Sequence, residues 1–174
     1  MDFGEYSVKN VKSFQGTDGY GYNASLYRGK KRVAFIIDEG CGGEALVQWE
    51  DHASKKVKIT CTGYQDKQVT FEGTPEEKLL RGHIESIPRQ PSAHFPNGLR
   101  VDTSWFLSEL IGNYEETQQL KRWCKKQTVL KLKGSDRGKY TIIHSPYDKH
   151  VKDYVTKEFK DTLEEIVNER FVKA

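Results

Sequence analysis

Three groups of residues in this chain have side chains that could do chemistry. The first is the loop Ile36-Ile37-Asp38-Glu39-Gly40-Cys41-Gly42-Gly43-Glu44, which sets a thiol and glycines among carboxylates. A loop that grips phosphate needs glycines that let backbone N–H groups approach the anion, ordinarily where a helix begins. Here Gly43 runs into Glu44-Ala45-Leu46-Val47-Gln48-Trp49, which reads as a strand, and Asp38, Glu39 and Glu44 would repel phosphate. A nucleophilic Cys41 would need a base or cation beside it to form the thiolate, and its neighbours are acids. The stretch therefore reads as a connection whose glycines supply positive-φ positions, with Glu39, Gly40, Cys41, Gly42 and Gly43 as a candidate rim for a partner.

The second group is the histidines and cysteines. His52, His83, His94, His144 and His150 form no His-Glu-x-x-His pattern, and none precedes a cysteine pair. No metal site and no cofactor are implied. Asp51-His52 and Asp148-Lys149-His150 read as a polar turn and a helix start rather than as catalytic pairs. A nuclease that pairs an acid with Glu-x-Lys on a strand would have to use Glu76-Glu77-Lys78, but those residues open a helix. Cys41, Cys61 and Cys124 are odd in number and widely spaced, which argues against a disulfide framework and points to reducing cytosol.

The third group is the basic run. Lys121, Arg122, Lys125, Lys126, Lys131, Lys133, Arg137 and Lys139 face Asp136 alone between Lys121 and Tyr140, although the whole chain carries a net charge of only +3. Asp102 to Glu116, just before it, contains acids and no Lys or Arg. Cations flanked by Trp123 and Tyr140 suit a phosphate backbone with a base stacked beside it. The competing reading makes Lys131 and Lys133 the solvent face of an alternating strand, and Lys125 and Lys126 the cationic end of a helix.

The elements that must position these groups read as α+β. Alternation marks strands at Tyr6–Val11 and Gly21–Tyr27, the latter with Tyr22, Ala24 and Leu26 on one face. Arg28–Lys31 is a hairpin turn, and Val33–Ile37 suits a strand buried on both faces. Ala45–Trp49, Val57–Thr62 and Gln68–Gly73 are further strands. Thr74-Pro75-Glu76-Glu77 starts a helix with apolar positions at Leu79, Leu80, His83, Ile84 and Ile87, which Pro88 ends. Arg89–Gly98 reads as an irregular connection. Asp102-Thr103-Ser104 opens a helix with Trp105, Leu107, Leu110, Ile111 and Tyr114 as its stripe. Gly112-Asn113 is a candidate break before a second segment, Glu115–Lys126. Thr128–Lys133 and Lys139–Ile143 flank a glycine-bearing turn as a hairpin, and a helix follows from Lys149 to Phe159. Leu163–Val167 fits either helix or strand. This gives a β-rich sub-domain at 1–87, a connection at 88–100 and an α+β sub-domain at 101–174. No run approaches the roughly 18 apolar residues of a membrane span, so a membrane partner is not expected.

Val8–Lys12, Tyr22–Tyr27, Gly29–Ala34 and the acid-Gly-x-Gly-Gly loop resemble the opening of small uncharacterised proteins of bacterial phages, plasmids and related mobile elements. Trp123–Gly134 and Leu163–Phe171 resemble the same group. The resemblance implies a source, the cytoplasm of a bacterial host, and no particular reaction. With no catalytic constellation to assemble, the reading inclines away from an enzyme. The expected role is a non-enzymatic protein that binds a host protein or nucleoprotein and inhibits a bacterial defence system. The alternative is a nucleic-acid binder or metal-dependent nuclease working through Arg122, Lys125, Lys126, Lys131, Lys133, Arg137 and Lys139. Oligomeric state is not legible.

Overall fold

Tyr22, Ala24 and Leu26 point to one side of their strand and are buried there, Ala24 and Leu26 completely. The strand is β2 (Tyr20–Arg28) of a four-stranded antiparallel sheet with β1 (Tyr6–Gln15), β3 (Lys31–Asp38) and β4 (Leu46–Trp49), ordered as in the sequence. Register sets Leu26 opposite both Val8 and Ala34, and Ala24 opposite Ile36, so one buried row crosses the sheet. In β3 Val33, Ala34 and Ile36 are buried, but Phe35 and Ile37 are only half-buried. The expectation of burial on both faces is thus met over part of the strand only. Asn10, at φ +55°, lies where the β1 register shifts between Lys9 and Lys12, a bulge that a short polar side chain tolerates.

The computed structural model describes residues 1–63, 66–92 and 95–172, and the chain forms two compact units, Met1–Tyr114 and Glu115–Ala174. The connection expected at 88–100 lies inside the first unit, and the division falls within a helix.

In the first unit β5 (Val57–Thr62) and β6 (Gln68–Gly73) form a hairpin, and α1 (Pro75–Ser86) follows. Thr74 caps α1 by accepting a hydrogen bond from the Glu77 N–H at 3.1 Å. Leu80, Ile84 and Ile87 are buried, whereas Leu79 is 52% exposed and does not join the expected stripe. Adjacent helical residues lie about 100° apart, so Leu79 and Leu80 cannot both face the core centrally. The supposed irregular connection contains a short antiparallel pair, β7 (Gln90–Ser92) and β8 (Phe95–Leu99). Position 93 and His94, which separate them, lie outside the described residues.

Asp102 starts α2 (Thr103–Cys124) by accepting from the Trp105 N–H at 2.8 Å. The helix does not break at Gly112-Asn113. Both residues are exposed, and the flanking burial of Leu110, Ile111 and Leu120 outweighs one glycine's propensity cost of about 1 kcal/mol. Phe106, absent from the expected stripe, is fully buried and meets Phe3, Tyr6 and His83 at ring-centre distances of 5.7, 6.0 and 5.6 Å.

In the second unit β9 (Thr128–Leu132) is the middle of a three-stranded sheet, between β10 (Thr141–Ile143) and β11 (Leu163–Ile166). The ambiguous run at Leu163 is therefore a strand, followed by a 3-10 turn, Val167–Arg170. Consecutive residues of β9 serve opposite faces. Val129 packs with Leu120 and Val167, and Leu130 packs with Val155 of α3 (Lys149–Glu158) and Ile166. Asn168 locks the arrangement: its side-chain oxygen accepts from Val129 N–H at 2.8 Å, and its amide donates to the Cys124 and Gln127 carbonyls. Among the described residues no helix is long and apolar enough to cross a membrane.

Candidate binding recess

The basic run separates into two sets of cations. Because β9 is covered on both faces, Lys131, although opposite Leu130, shares a face with buried Val129. Its ammonium donates to the carbonyls of Ser135, Asp136 and Lys139 at 3.2, 2.7 and 3.3 Å and lies 5.3 Å from the centre of the Tyr140 ring. Lys133 donates to the Asp161 carbonyl at 3.1 Å, and Lys139 pairs with Asp136. Arg137 lies on the exposed turn between Asp136 and Gly138. Lys131 is thus half-buried and ties down its own turn rather than standing free in solvent.

The last turns of α2 differ. Lys121, Arg122, Lys125 and Lys126 are exposed, and none has a carboxylate partner among the described residues. Lys121, Arg122 and Lys125 border a recess of about 500 Å³. Tyr147 and Phe171 form its other walls, with exposed Val172, and among the described residues no Asp or Glu lines it. The Lys121 ammonium lies 5.8 Å from the centre of the Phe171 ring. Cys124 also borders the recess, and burial pushes its thiol up, away from a reactive thiolate.

Pairing elsewhere in the second unit leaves these cations uncompensated. The Tyr147 hydroxyl donates to Glu169 at 2.6 Å and the Lys152 ammonium to the same oxygen at 2.7 Å, and these bonds hold the Glu169 carboxyl below the usual range. Arg170 embraces Glu165 with two hydrogen bonds and lowers its carboxyl likewise. Tyr140 donates to Glu116 at 2.6 Å, and burial followed by that carboxylate pushes the phenol up to about 12.

In the first unit the glycine loop is a packing device. Gly40, at φ +65°, donates its N–H to Asp38 at 2.9 Å and accepts from Asp18 N–H at 2.9 Å. A Cβ at Gly40 would fall 2.6 Å from the Gly21 nitrogen, and one at Gly16 would fall 2.4 Å from the Glu39 carbonyl. Backbone therefore lies on backbone where the β1–β2 and β3–β4 connections meet. Gly42 has φ +77°, but Gly43 does not adopt a positive φ, contrary to its expected role. Cys41 is exposed.

The acid–histidine pairs are caps. Asp148 accepts from Val151 N–H at 2.8 Å, and Asp51 accepts from Glu76 N–H at 3.1 Å. Among the described residues no three His, Cys, Asp or Glu are grouped to hold a metal. The first unit also has a cleft of about 720 Å³ beside Trp49, Phe71, Arg81 and Arg100, which sequence reasoning missed. Its arginines have protein partners: Arg81 pairs with Glu77 at 3.0 Å and Arg100 donates to the Gly63 carbonyl at 2.8 Å. Tyr147 and Phe171 were missed as well, since no local spacing links them to α2.

No family model, curated protein or solved structure matches this chain.

Proposed function

We propose that the protein acts by binding, holding an anionic surface of a host macromolecule against the end of α2. One observation carries this reading. Lys121, Arg122 and Lys125 border one recess that no Asp or Glu lines among the described residues, while Glu165 and Glu169 of the same unit are engaged by other cations. Cations placed this way repel one another and gain when an anion neutralises them, which also speeds encounter and selects against acid-poor surfaces. The resemblance to phage and plasmid proteins supplies the setting. A binder of this kind would occlude a host protein or nucleoprotein, and a component of a bacterial defence system is the target that fits such a source.

The test is capture from bacterial lysate, with and without nuclease, by wild type and by the K121E/R122E/K125E variant. All three changes are at exposed positions but reverse charge at a helix C-terminus, so a stability loss of about 1–2 kcal/mol is expected with the fold retained. A partner retained by wild type should be lost from the variant by at least about 100-fold, or about 2.7 kcal/mol. Equal retention by a folded variant would contradict the reading.

A further inference from the structure

We infer that the recess at the end of α2 accepts one nucleotide of a single-stranded nucleic acid, with the base against Phe171 and the phosphates on Lys121, Arg122 and Lys125. This rests on the reading that the face binds an anion, and it specifies which anion. The chemistry follows from what lines the recess. Three cations with no Asp or Glu beside them among the described residues suit phosphate, but cations alone would serve an acidic peptide equally well. The aromatic walls decide between them, because a peptide carboxylate has no use for a ring face whereas every base has a π-face to stack.

The rings are held ready for that contact. Tyr147 is anchored through its hydroxyl to Glu169 at 2.6 Å, so its ring is fixed before anything binds. Phe171 packs against the cluster of Leu120, Val129 and Val167, yet it still borders the recess. The Lys121 ammonium, 5.8 Å from the Phe171 ring centre, places a cation beside any base stacked there.

Gln118 borders the same space and has no partner among the described residues, leaving its amide able to meet a base edge. Asn168 cannot do so, since both ends of its amide are used within the fold. The recess volume, about 500 Å³, falls in the usual range for small-ligand sites, roughly 300–1,000 Å³. It is concave. A duplex keeps its bases stacked inside and presents a convex backbone, so only a single strand can splay a base into it.

The experiment is fluorescence anisotropy across a salt series with labelled single-stranded DNA and RNA 12-mers, the matching duplexes and polyglutamate. A single strand should bind at least about tenfold more tightly than duplex or polyglutamate. F171L keeps most of the apolar volume that the cluster needs and should weaken single-strand binding at least about fivefold with melting unchanged. If F171L melts early, Y147L removes the other ring from outside that cluster and Q118A the amide at the base edge, each weakening single-strand but not polyglutamate binding. K121E/R122E/K125E should reduce the log–log salt slope by about two. Polyglutamate or duplex bound as tightly as single strand, or stacking variants that bind like wild type, would overturn the inference and leave the anionic-partner reading standing. That reading fails separately if a lysate partner survives the triple reversal.

Discussion

The Arg28 guanidinium closes on the Glu76 carboxylate through two parallel hydrogen bonds, each 3.0 Å long, from Nε and Nη2. Lys31 adds a third contact at 2.9 Å, so the β2–β3 turn is clasped to the first turn of α1. Glu76 is buried, and such a carboxylate is tolerable only while its partners remain. Glu76→Gln keeps the shape and removes the charge. It should lower stability by about 2 kcal/mol near neutral pH, since Arg28 and Lys31 are partly solvated and lose less than fully buried partners would.

The same pair predicts a pH dependence. Hydrogen bonds from Arg28 hold the Glu76 carboxyl below its usual range, against the opposing pull of burial. A depressed folded-state value means that the stabilisation is complete above the ordinary carboxylate range and is lost as pH falls through the lowered value. Urea titrations of wild type and Glu76→Gln should therefore show a gap at pH 7 that narrows towards pH 3. A constant gap would contradict the assignment.

Lys131 in β9 and Lys133, one residue past its end, should behave differently although they are two residues apart. Lys131→Ala removes an ammonium that satisfies carbonyls of its turn and should cost about 2 kcal/mol, whereas Lys133→Ala, with one exposed bond, should stay within about 0.5 kcal/mol. Thermal melts of the two variants decide this, and equal melting would contradict the structural role of Lys131.

Three substitutions in the glycine loop test where its constraint lies. Gly40→Ala meets both a positive φ and a backbone nitrogen 2.6 Å from the new Cβ, so a loss of about 3 kcal/mol is expected. Gly43→Ala meets neither and should be nearly silent. Cys41→Ser, at an exposed position, should leave both melting and partner capture unchanged. Equal melting of Gly40→Ala and Gly43→Ala would contradict the close backbone approach.

Much of this architecture was legible because local signals agreed with packing. The alternation of Tyr22, Ala24 and Leu26, the Thr74-Pro75 helix start and the glycine turn between β9 and β10 each had one physical reading. Phe106 was missed because Trp105 and Leu107 beside it are also apolar, so periodicity did not locate the centre of the stripe. Leu163–Ile166 became decidable only once β9 proved to need a strand on each side. Alternation put Lys131 on the side opposite Leu130, as found, but could not say that its own side is covered too, by Tyr140 and the turn. Lys121, Arg122 and Lys125 were readable as cations. The rings of Tyr147 and Phe171 that give their recess its character come from distant parts of the chain, and only the folded sheet brings them to α2.

The anion site proposed is the end of α2 and not the β9–β10 turn. Backbone amide NMR of the labelled protein, titrated with a single-stranded 12-mer, tests it most directly. Shifts are expected at 118–125, Tyr147 and 168–172, abolished in K121E/R122E/K125E. Shifts centred instead on Ser135–Lys139, or on the glycine loop at Glu39–Gly43, would contradict it.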